Sequence, residues 1–229
     1  QYRAFVTQME RDRPDLVAEC ERQARRTARL KSVLVSGPYP GLTTGDADLY
    51  QAFAWRFWSL IRTDGAVGVV LPRSALAASG SAQWREAVLG GGAFADVTML
   101  LNTAGWVFDD AEHRYTISLT GVRKGEAHAG LVHMRGPYPN LVAYRAGMLD
   151  KPGEVAAADL ESWSDGASFP LLPSAESVGV FLKLRSHPRL DGADLTGPAD
   201  WAARPMAEFH ATNDKALWDP ADDDEDWRD

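Results

Sequence analysis

The sequence predicts an α/β fold, and three stretches of the chain carry that prediction. Residues 66–71 form a wholly apolar, β-branched run that ends at Pro72, as is typical of a strand covered on both faces. This run follows a helix-like segment closed by Asp64-Gly65, which makes half of a doubly wound, parallel-type sheet. Residues 94–101 and 113–122 have the composition and alternation of two later strands. We expect these two strands to lie antiparallel at an edge of the sheet.

Helical periodicity marks further segments. In residues 48–62 five apolar residues share one face at helical spacing: Leu49, Phe53, Phe57, Leu60 and Ile61. Residues 15–30 predict a solvated amphipathic helix; as the alternative, its basic side faces phosphate. Residues 81–89 predict a short helix, residues 129–134 one more strand, and Ser174 the N-cap of a helix that ends at Arg185.

Composition restricts the class of protein. The chain has 229 residues, 45% of them hydrophobic and 24% charged, which suits one α/β domain with or without an appendage. Cys20 is the single cysteine, so an internal disulfide is impossible. No apolar run approaches the roughly 20 residues of a membrane helix. We therefore expect a cytoplasmic protein that does not bind membranes.

Charge is distributed unevenly along the chain. The formal net charge of −8 argues mildly against nucleic-acid binding, because phosphate contacts require Lys and Arg. Residues 219–229, however, hold seven acidic residues and one arginine, and the first 31 residues hold eight basic residues against five acidic ones. We expect residues 219–229 to be a disordered acidic tail. The charge distribution therefore neither supports nor excludes nucleic-acid binding.

The sequence holds no self-contained catalytic constellation. The five histidines and Cys20 lack metal-ligand spacing with one another. A Gly-x-Ser-x-Gly elbow and a phosphate-binding Gly-Lys-Ser/Thr loop are both missing from the sequence. We expect no metal site in this chain.

The order of several short motifs is more specific than any one of them. A Thr-Gly-Asp-Ala-Asp-Leu-Tyr-Gln-Ala-Phe segment at 44–53 precedes Gly-Val-Val-Leu-Pro at 68–72. The later motifs are Arg85, Val107-Phe108, Arg123-Lys124, Arg135-Gly136-Pro137, residues 173–177, His187-Pro188 and residues 208–215. Across residues 36–218 this order resembles the adenine-N6 DNA methyltransferases, downstream of their Asn-Pro-Pro-aromatic motif. Within that family it resembles the large restriction-modification enzymes, including the type IIG-like ones that fuse methylase and nuclease.

The resemblance implies a partial Rossmann-like methyltransferase sheet, with one parallel strand, late antiparallel strands and flanking helices. It divides the chain into a helical or connecting segment (1–35), the second half of a methyltransferase-like domain (36–125) and an irregular α+β extension toward a DNA-recognition region (126–218). The family's cofactor loop and Asn-Pro-Pro-aromatic motif are both missing, since none of Asn102, Asn140 and Asn213 precedes a proline. The chain also looks truncated at both ends, so we expect an inactive fragment of a longer enzyme.

The resemblance also assigns four residues to a site. Phe53 matches the aromatic that packs against the adenine ring of S-adenosylmethionine, the alternative being a plain core residue. Tyr50 is placed with it near the cofactor, and Tyr50 and Pro72 are expected to shape the wall of the site in a mainly structural role. Phe108 matches the aromatic that stacks on the flipped target base, which needs a π-face to replace its lost stacking. The alternative for Phe108 is a loop aromatic tucked under the sheet, and Trp106 competes with it for the stacking role.

The expected function is thus that of a fragment of a DNA adenine-N6 methyltransferase. The parent protein would use S-adenosylmethionine and act on double-stranded DNA. The alternative is a noncatalytic α/β interaction module, a degenerate methylase relative. In either case a half-sheet exposes apolar edges, so we expect the fragment to self-associate or to be marginally stable.

Overall fold

A five-stranded mixed sheet lies at the centre of the fold in the computed structural model. The structure describes residues 2–43, 47–125, 130–164 and 166–187. Gln1–Leu182 forms one compact unit and Lys183–Asp229 another. The strands are β1 Ala66–Pro72, β2 Gly92–Leu101, β3 Thr116–Lys124, β4 Leu131–Tyr138 and β5 Gly153–Ala156. The helices are α1 Tyr2–Asp12, α2 Pro14–Ser36, α3 Leu49–Leu60, α4 Ser74–Ala77, α5 Ala82–Gly90, α6 Leu141–Gly147, α7 Ala157–Trp163 and α8 Ala175–Arg185. The predicted α/β class is confirmed.

The strands lie in the order β1-β3-β2-β4-β5. β3 pairs antiparallel with both β1 and β2, so β1 and β2 run in the same direction with β3 between them. β4 joins β2 in parallel, and β5 pairs antiparallel with β4. The predicted antiparallel pairing of the two late strands is confirmed, but their predicted position at a sheet edge is wrong. The reason is that β3 inserts beside β1, while β4 occupies the other side of β2.

The prediction that residues 66–71 are covered on both faces is wrong for the described part of the chain. β1 ends the sheet and pairs with β3 alone. Val67 and Val69 pack against the core, but Val70 is 53% exposed. A β-branched apolar composition predicts a strand but does not show whether other elements cover both of its faces.

The core lies on one face of the sheet. The strand register places Val69, Thr120, Val97 and Met134 in one row across four strands. Val97 and Met134 belong to the main buried cluster, which also takes its large side chains from α3, α5, α7 and α8: Trp58, Trp84, Val88, Leu89, Leu160 and Phe181. This face therefore anchors the helices that surround the candidate site.

The apolar face predicted for α3 is turned outward. Gln51, Ala52, Ala54 and Trp58 are the buried residues of the helix. The predicted face is largely exposed: Leu49 46%, Phe53 54% and Leu60 64%. The interpretation of Phe53 as a core residue is therefore wrong. The small side chains of Ala52 and Ala54 let the helix approach its neighbours closely, and Trp58 supplies the bulk on that side.

Helices α2 and α8 differ in how they pack. α2 extends further at both ends than the predicted 15–30, and Leu34 is its one buried residue. Solvated ion pairs join Arg22 to Glu19 and Arg25 to Glu21 along it. The predicted cap of α8 is confirmed, because the Ser177 backbone N–H donates to Ser174 Oγ at 3.3 Å. No helix in the described ranges is long and apolar enough to cross a membrane. Residues 188–229, with the motif at 208–215 and the acidic tail, lie outside the described residues.

Candidate functional site

A cavity of about 880 Å³ opens where β1 ends and α3 begins. One wall is the carboxyl end of β1 with the first residues of α4, and another is the loop between β2 and β3. The start of α3 completes the lining with Asp48 and Tyr50. The Gln51 side-chain oxygen accepts from the Asp48 backbone N–H at 2.9 Å and so fixes this end of the helix. In open α/β sheets, ligands bind outside the carboxyl ends of the strands, which is where this cavity lies.

The structure brings together three residues that the sequence singled out. Tyr50, Pro72 and Phe108 all line the cavity, although 58 residues separate the first from the last. Phe53 does not line it; its ring is exposed and stacks on Phe57 with a centroid distance of 6.1 Å. Trp106 also lies outside the lining.

The loop between β2 and β3 is organised by one buried amide. Asn102 is fully buried, and its Oδ1 accepts from the backbone N–H groups of Val107 at 3.2 Å and Phe108 at 2.9 Å. Its Nδ2 donates to the backbone carbonyls of Phe108 at 2.8 Å and Ala111 at 3.1 Å. The Asn102 backbone N–H closes the loop on the Tyr115 carbonyl at 3.0 Å. Phe108 is thus held by its backbone while its ring remains 48% exposed.

Trp106 is tethered away from the cavity. Its Nε1 donates to the carbonyl of Leu101, and its ring lies 6.4 Å from that of Tyr144. Tyr144 in turn makes an edge contact with Tyr138, whose pKa is raised by burial. The two aromatic residues of the loop therefore face different surroundings, and Phe108 is the one that faces the cavity.

Two arginines and one aspartate give the cavity its charge. Arg73 and Arg114 both line it, and both are exposed. The segments that carry them are joined by a hydrogen bond from the Arg73 backbone N–H to the Thr116 carbonyl, at 2.9 Å. Arg114 also lies 3.2 Å from Glu112 and, by this contact, lowers the pKa of that carboxyl group. Asp48 is the one acidic residue among the described residues of the lining, so the cavity favours a ligand with both apolar and anionic parts.

A separate charged row crosses the opposite face of the sheet. Arg135 lies 3.1 Å from Asp96, and His133 lies 3.7 Å from Glu154. Among the described residues, no group of three or more His, Cys, Asp or Glu side chains is arranged to hold a metal ion. His128 and His210 lie outside the described residues.

Sequence reasoning missed Asn102 as a structural residue of the site. The available signal was an asparagine directly after a predicted strand and at the head of a polar loop. Asparagine side chains in that position often hydrogen-bond nearby backbone groups. The partners lie five to nine residues ahead, and sequence alone does not identify them.

Comparisons with known proteins place the chain far from characterised sequences. No protein-family model matches it, and no significant match was found among curated proteins. Among solved structures it is similar to a modification subunit of a putative type I restriction enzyme from Vibrio vulnificus YJ016, with 14% identity and a TM-score of 0.44. That match covers 68% of this chain and 36% of that chain, so this chain spans about a third of the subunit's length. The geometry of the cavity therefore carries the functional proposal.

Proposed function

We propose that this chain is the second half of the catalytic domain of an S-adenosylmethionine-dependent DNA adenine-N6 methyltransferase from a restriction-modification or phage-defence system. The observation that carries the proposal is the shared cavity of Tyr50, Pro72 and Phe108. These are three residues that the motif order assigns to one site. The volume of about 880 Å³ falls within the range of small-ligand sites.

Phe108 is proposed to stack on the target adenine. An enzyme that modifies a base must first take it out of the duplex, and the base then needs a new stacking partner. Phe108 offers a half-exposed ring on a rigidly held backbone, at the mouth of a cavity that contains two arginines. Guanidinium groups beside a π-face suit a nucleotide, because they pair with its phosphates.

The cofactor is proposed to be S-adenosylmethionine, which supplies the methyl group when bound. Two aromatic side chains of α3 are proposed to contact its adenine ring: Tyr50 lines the cavity, whereas Phe53 lies outside the lining and presents an exposed ring on the same helix. Both would bind and orient the cofactor through ring contacts rather than take part in proton transfer.

The chain is proposed to be inactive by itself. The family's Asn-Pro-Pro-aromatic motif holds the target amine, and this sequence lacks that motif. Asn102 is no substitute, because it is fully buried and its amide already makes four hydrogen bonds. Asn140 caps α6 by accepting from the Ala143 backbone N–H at 2.8 Å. Asn213 lies outside the described residues.

A noncatalytic interaction module is the second candidate. The exposed apolar side chains of Leu49, Phe53 and Leu60 on α3, together with the unpaired edge of β1 in the described part of the sheet, favour it. Such surfaces mark sites of association with other protein segments. In this case the complete natural protein would bind partners but transfer no methyl group.

Methyl transfer by the complete natural protein separates the two candidates. The protein is incubated with unmethylated bacterial genomic DNA and S-adenosylmethionine labelled in its methyl group, and nucleosides are resolved by mass spectrometry. We expect labelled N6-methyladenine, and none from the 229-residue chain under the same conditions. Label in cytosine, or in no base, would contradict the adenine methyltransferase proposal.

A further inference from the structure

We infer that Asn102 is a positioning residue that presets Phe108 for its ligand; the inference rests on the proposed function of Phe108. One side chain holds both backbone groups of Phe108, with Oδ1 accepting from its N–H at 2.9 Å and Nδ2 donating to its carbonyl at 2.8 Å. Two further bonds, from the Val107 N–H and to the Ala111 carbonyl, fix the residues on either side. The amide thereby replaces the regular pairing that the loop lacks.

The arrangement requires an amide in particular. A carboxamide has an acceptor oxygen and two N–H donors, and here both ends are used by a fully buried group. A carboxylate of the same shape would keep the two accepted bonds but would set its second oxygen against the carbonyls of Phe108 and Ala111. An aliphatic side chain would remove the amide partner of four backbone groups, of which the Phe108 carbonyl also accepts from the Ala111 backbone N–H at 3.4 Å.

The hydrogen bonds of Asn102 affect the orientation of the exposed Phe108 ring rather than the fold of the chain. Phe108 lies in a loop and is half exposed, so its ring would otherwise sample many orientations. Because Asn102 fixes the Phe108 backbone, the orientations of the ring are restricted before a ligand arrives. The loop therefore loses less conformational entropy when the ligand binds. Asn102 touches no ligand itself, since it is buried and outside the cavity lining.

The first test is a double-mutant cycle in the complete natural protein, read as kcat/KM for DNA. Asn102→Asp is expected to lower kcat/KM for DNA by about tenfold, with KM for S-adenosylmethionine changed less than about twofold. In a Phe108→Ala background the same substitution is expected to have almost no further effect, because the residue it positions is gone. Thr120→Val is the control, since it removes a hydrogen bond from a buried hydroxyl on β3 without touching the loop. Additive effects of the two substitutions would overturn the inference.

The second test does not depend on activity. Phe108 is replaced by 4-fluorophenylalanine, and its ¹⁹F resonance is compared between the otherwise unaltered protein and the Asn102→Asp variant. One narrow resonance is expected with asparagine, and a broadened or split one in the variant; identical line shapes would refute the positioning role. Should the variant fail to fold, hydrogen exchange in the unaltered protein decides. The Val107 and Phe108 amides are then expected to exchange at least about tenfold more slowly than an unpaired loop amide, and fast exchange would overturn the inference.

The two proposals fail in different ways. If the complete protein transfers no methyl group to adenine but the ¹⁹F and exchange results are as expected, the proposed function fails and the positioning of Phe108 by Asn102 stands. If methyl transfer occurs but the line shape does not depend on Asn102, or the Val107 and Phe108 amides exchange fast, the inference alone fails.

Discussion

A hydrogen bond joins the buried Arg85 to Gly166 across 81 residues of sequence. Arg85 Nε donates to the Gly166 carbonyl at 2.8 Å. The same guanidinium donates to the carbonyls of Ala167, Ala75 and Ala78 at 2.9 to 3.1 Å. Burial lowers the pKa of Arg85 to about 10, so the group remains charged at neutral pH. Because Ala78 lines the cavity, Arg85 connects a late segment of the chain to the cavity wall.

Removal of this guanidinium is expected to destabilise the fold. Arg85→Met removes the guanidinium donor from four carbonyls, of which that of Ala78 still accepts from the Ser81 backbone N–H at 3.1 Å. We expect the free energy of unfolding to fall by about 3 kcal/mol. Urea denaturation followed by circular dichroism measures the loss. Arg56→Met is the control, because Arg56 lies exposed on α3 and its loss should change stability by less than about 0.5 kcal/mol. Equal stabilities of the two variants would contradict the role of Arg85.

Gly136 is expected to tolerate no side chain. Its φ is +77°, and a Cβ would lie 2.2 Å from the Met99 carbonyl oxygen, on the strand that pairs with β4. We expect Gly136→Ala to cost on the order of 2–3 kcal/mol and so to lower the midpoint of thermal unfolding by about 4–12 °C. At Gly68 a Cβ would meet no atom within 4 Å, so Gly68→Ala should leave the midpoint nearly unchanged. A similar shift in both variants would exclude steric conflict as the cause.

Phe108→Ala is expected to impair the complete enzyme without unfolding it. Base stacking on an aromatic ring contributes about 1–3 kcal/mol, so kcat/KM for DNA should fall at least about fivefold while the unfolding midpoint stays the same. Phe108→Tyr keeps the π-face and should retain most of the activity. Phe5→Ala removes another exposed phenylalanine, on α1, and should have no effect. Normal activity of Phe108→Ala would exclude the stacking role.

Arg73 is expected to contact a DNA phosphate. Each phosphate contact steepens the fall of log K with log salt by about one unit. The Arg73→Ala variant of the complete protein should therefore show a slope shallower by about one, measured by fluorescence anisotropy with a labelled mixed-sequence duplex. Arg56→Ala should keep the original slope. An unchanged slope for Arg73→Ala would place the phosphate contacts elsewhere.

The exposed apolar side of α3 is expected to drive self-association of the 229-residue chain. Phe53→Glu combined with Leu60→Glu places charge on that surface and should shift the chain toward monomer. Light scattering coupled to size-exclusion chromatography, over a wide range of concentration, measures the change. Ser59→Glu adds a charge at an exposed polar position of the same helix and should leave association unchanged. A monomeric unaltered chain at all concentrations would contradict the prediction.

Local sequence patterns were sufficient for several of the individual elements, whereas α4, α6, β5 and α7 were not predicted. The helix predicted from the periodicity of residues 48–62, the strand that ends at Pro72 and the Ser174 cap all follow from interactions within a few residues. The resemblance placed Tyr50, Pro72 and Phe108 at one site, and in the structure all three residues line one cavity. Their roles toward cofactor and base remain predictions.

The tertiary structure decided what depends on contacts distant in sequence. Periodicity showed that α3 has an apolar face, but the fit of Ala52, Ala54 and Trp58 against the rest of the core determined which side is buried. The sequence pattern placed β3 at an edge of the sheet, but its pairing with both β1 and β2 made it central. The sequence by itself determined several elements, because these follow from local hydrogen bonding and periodicity, and its resemblance to a known family supplied the candidate residues. Only the folded chain determined which faces are buried and that Asn102 holds Phe108, because those outcomes depend on which surfaces fit together.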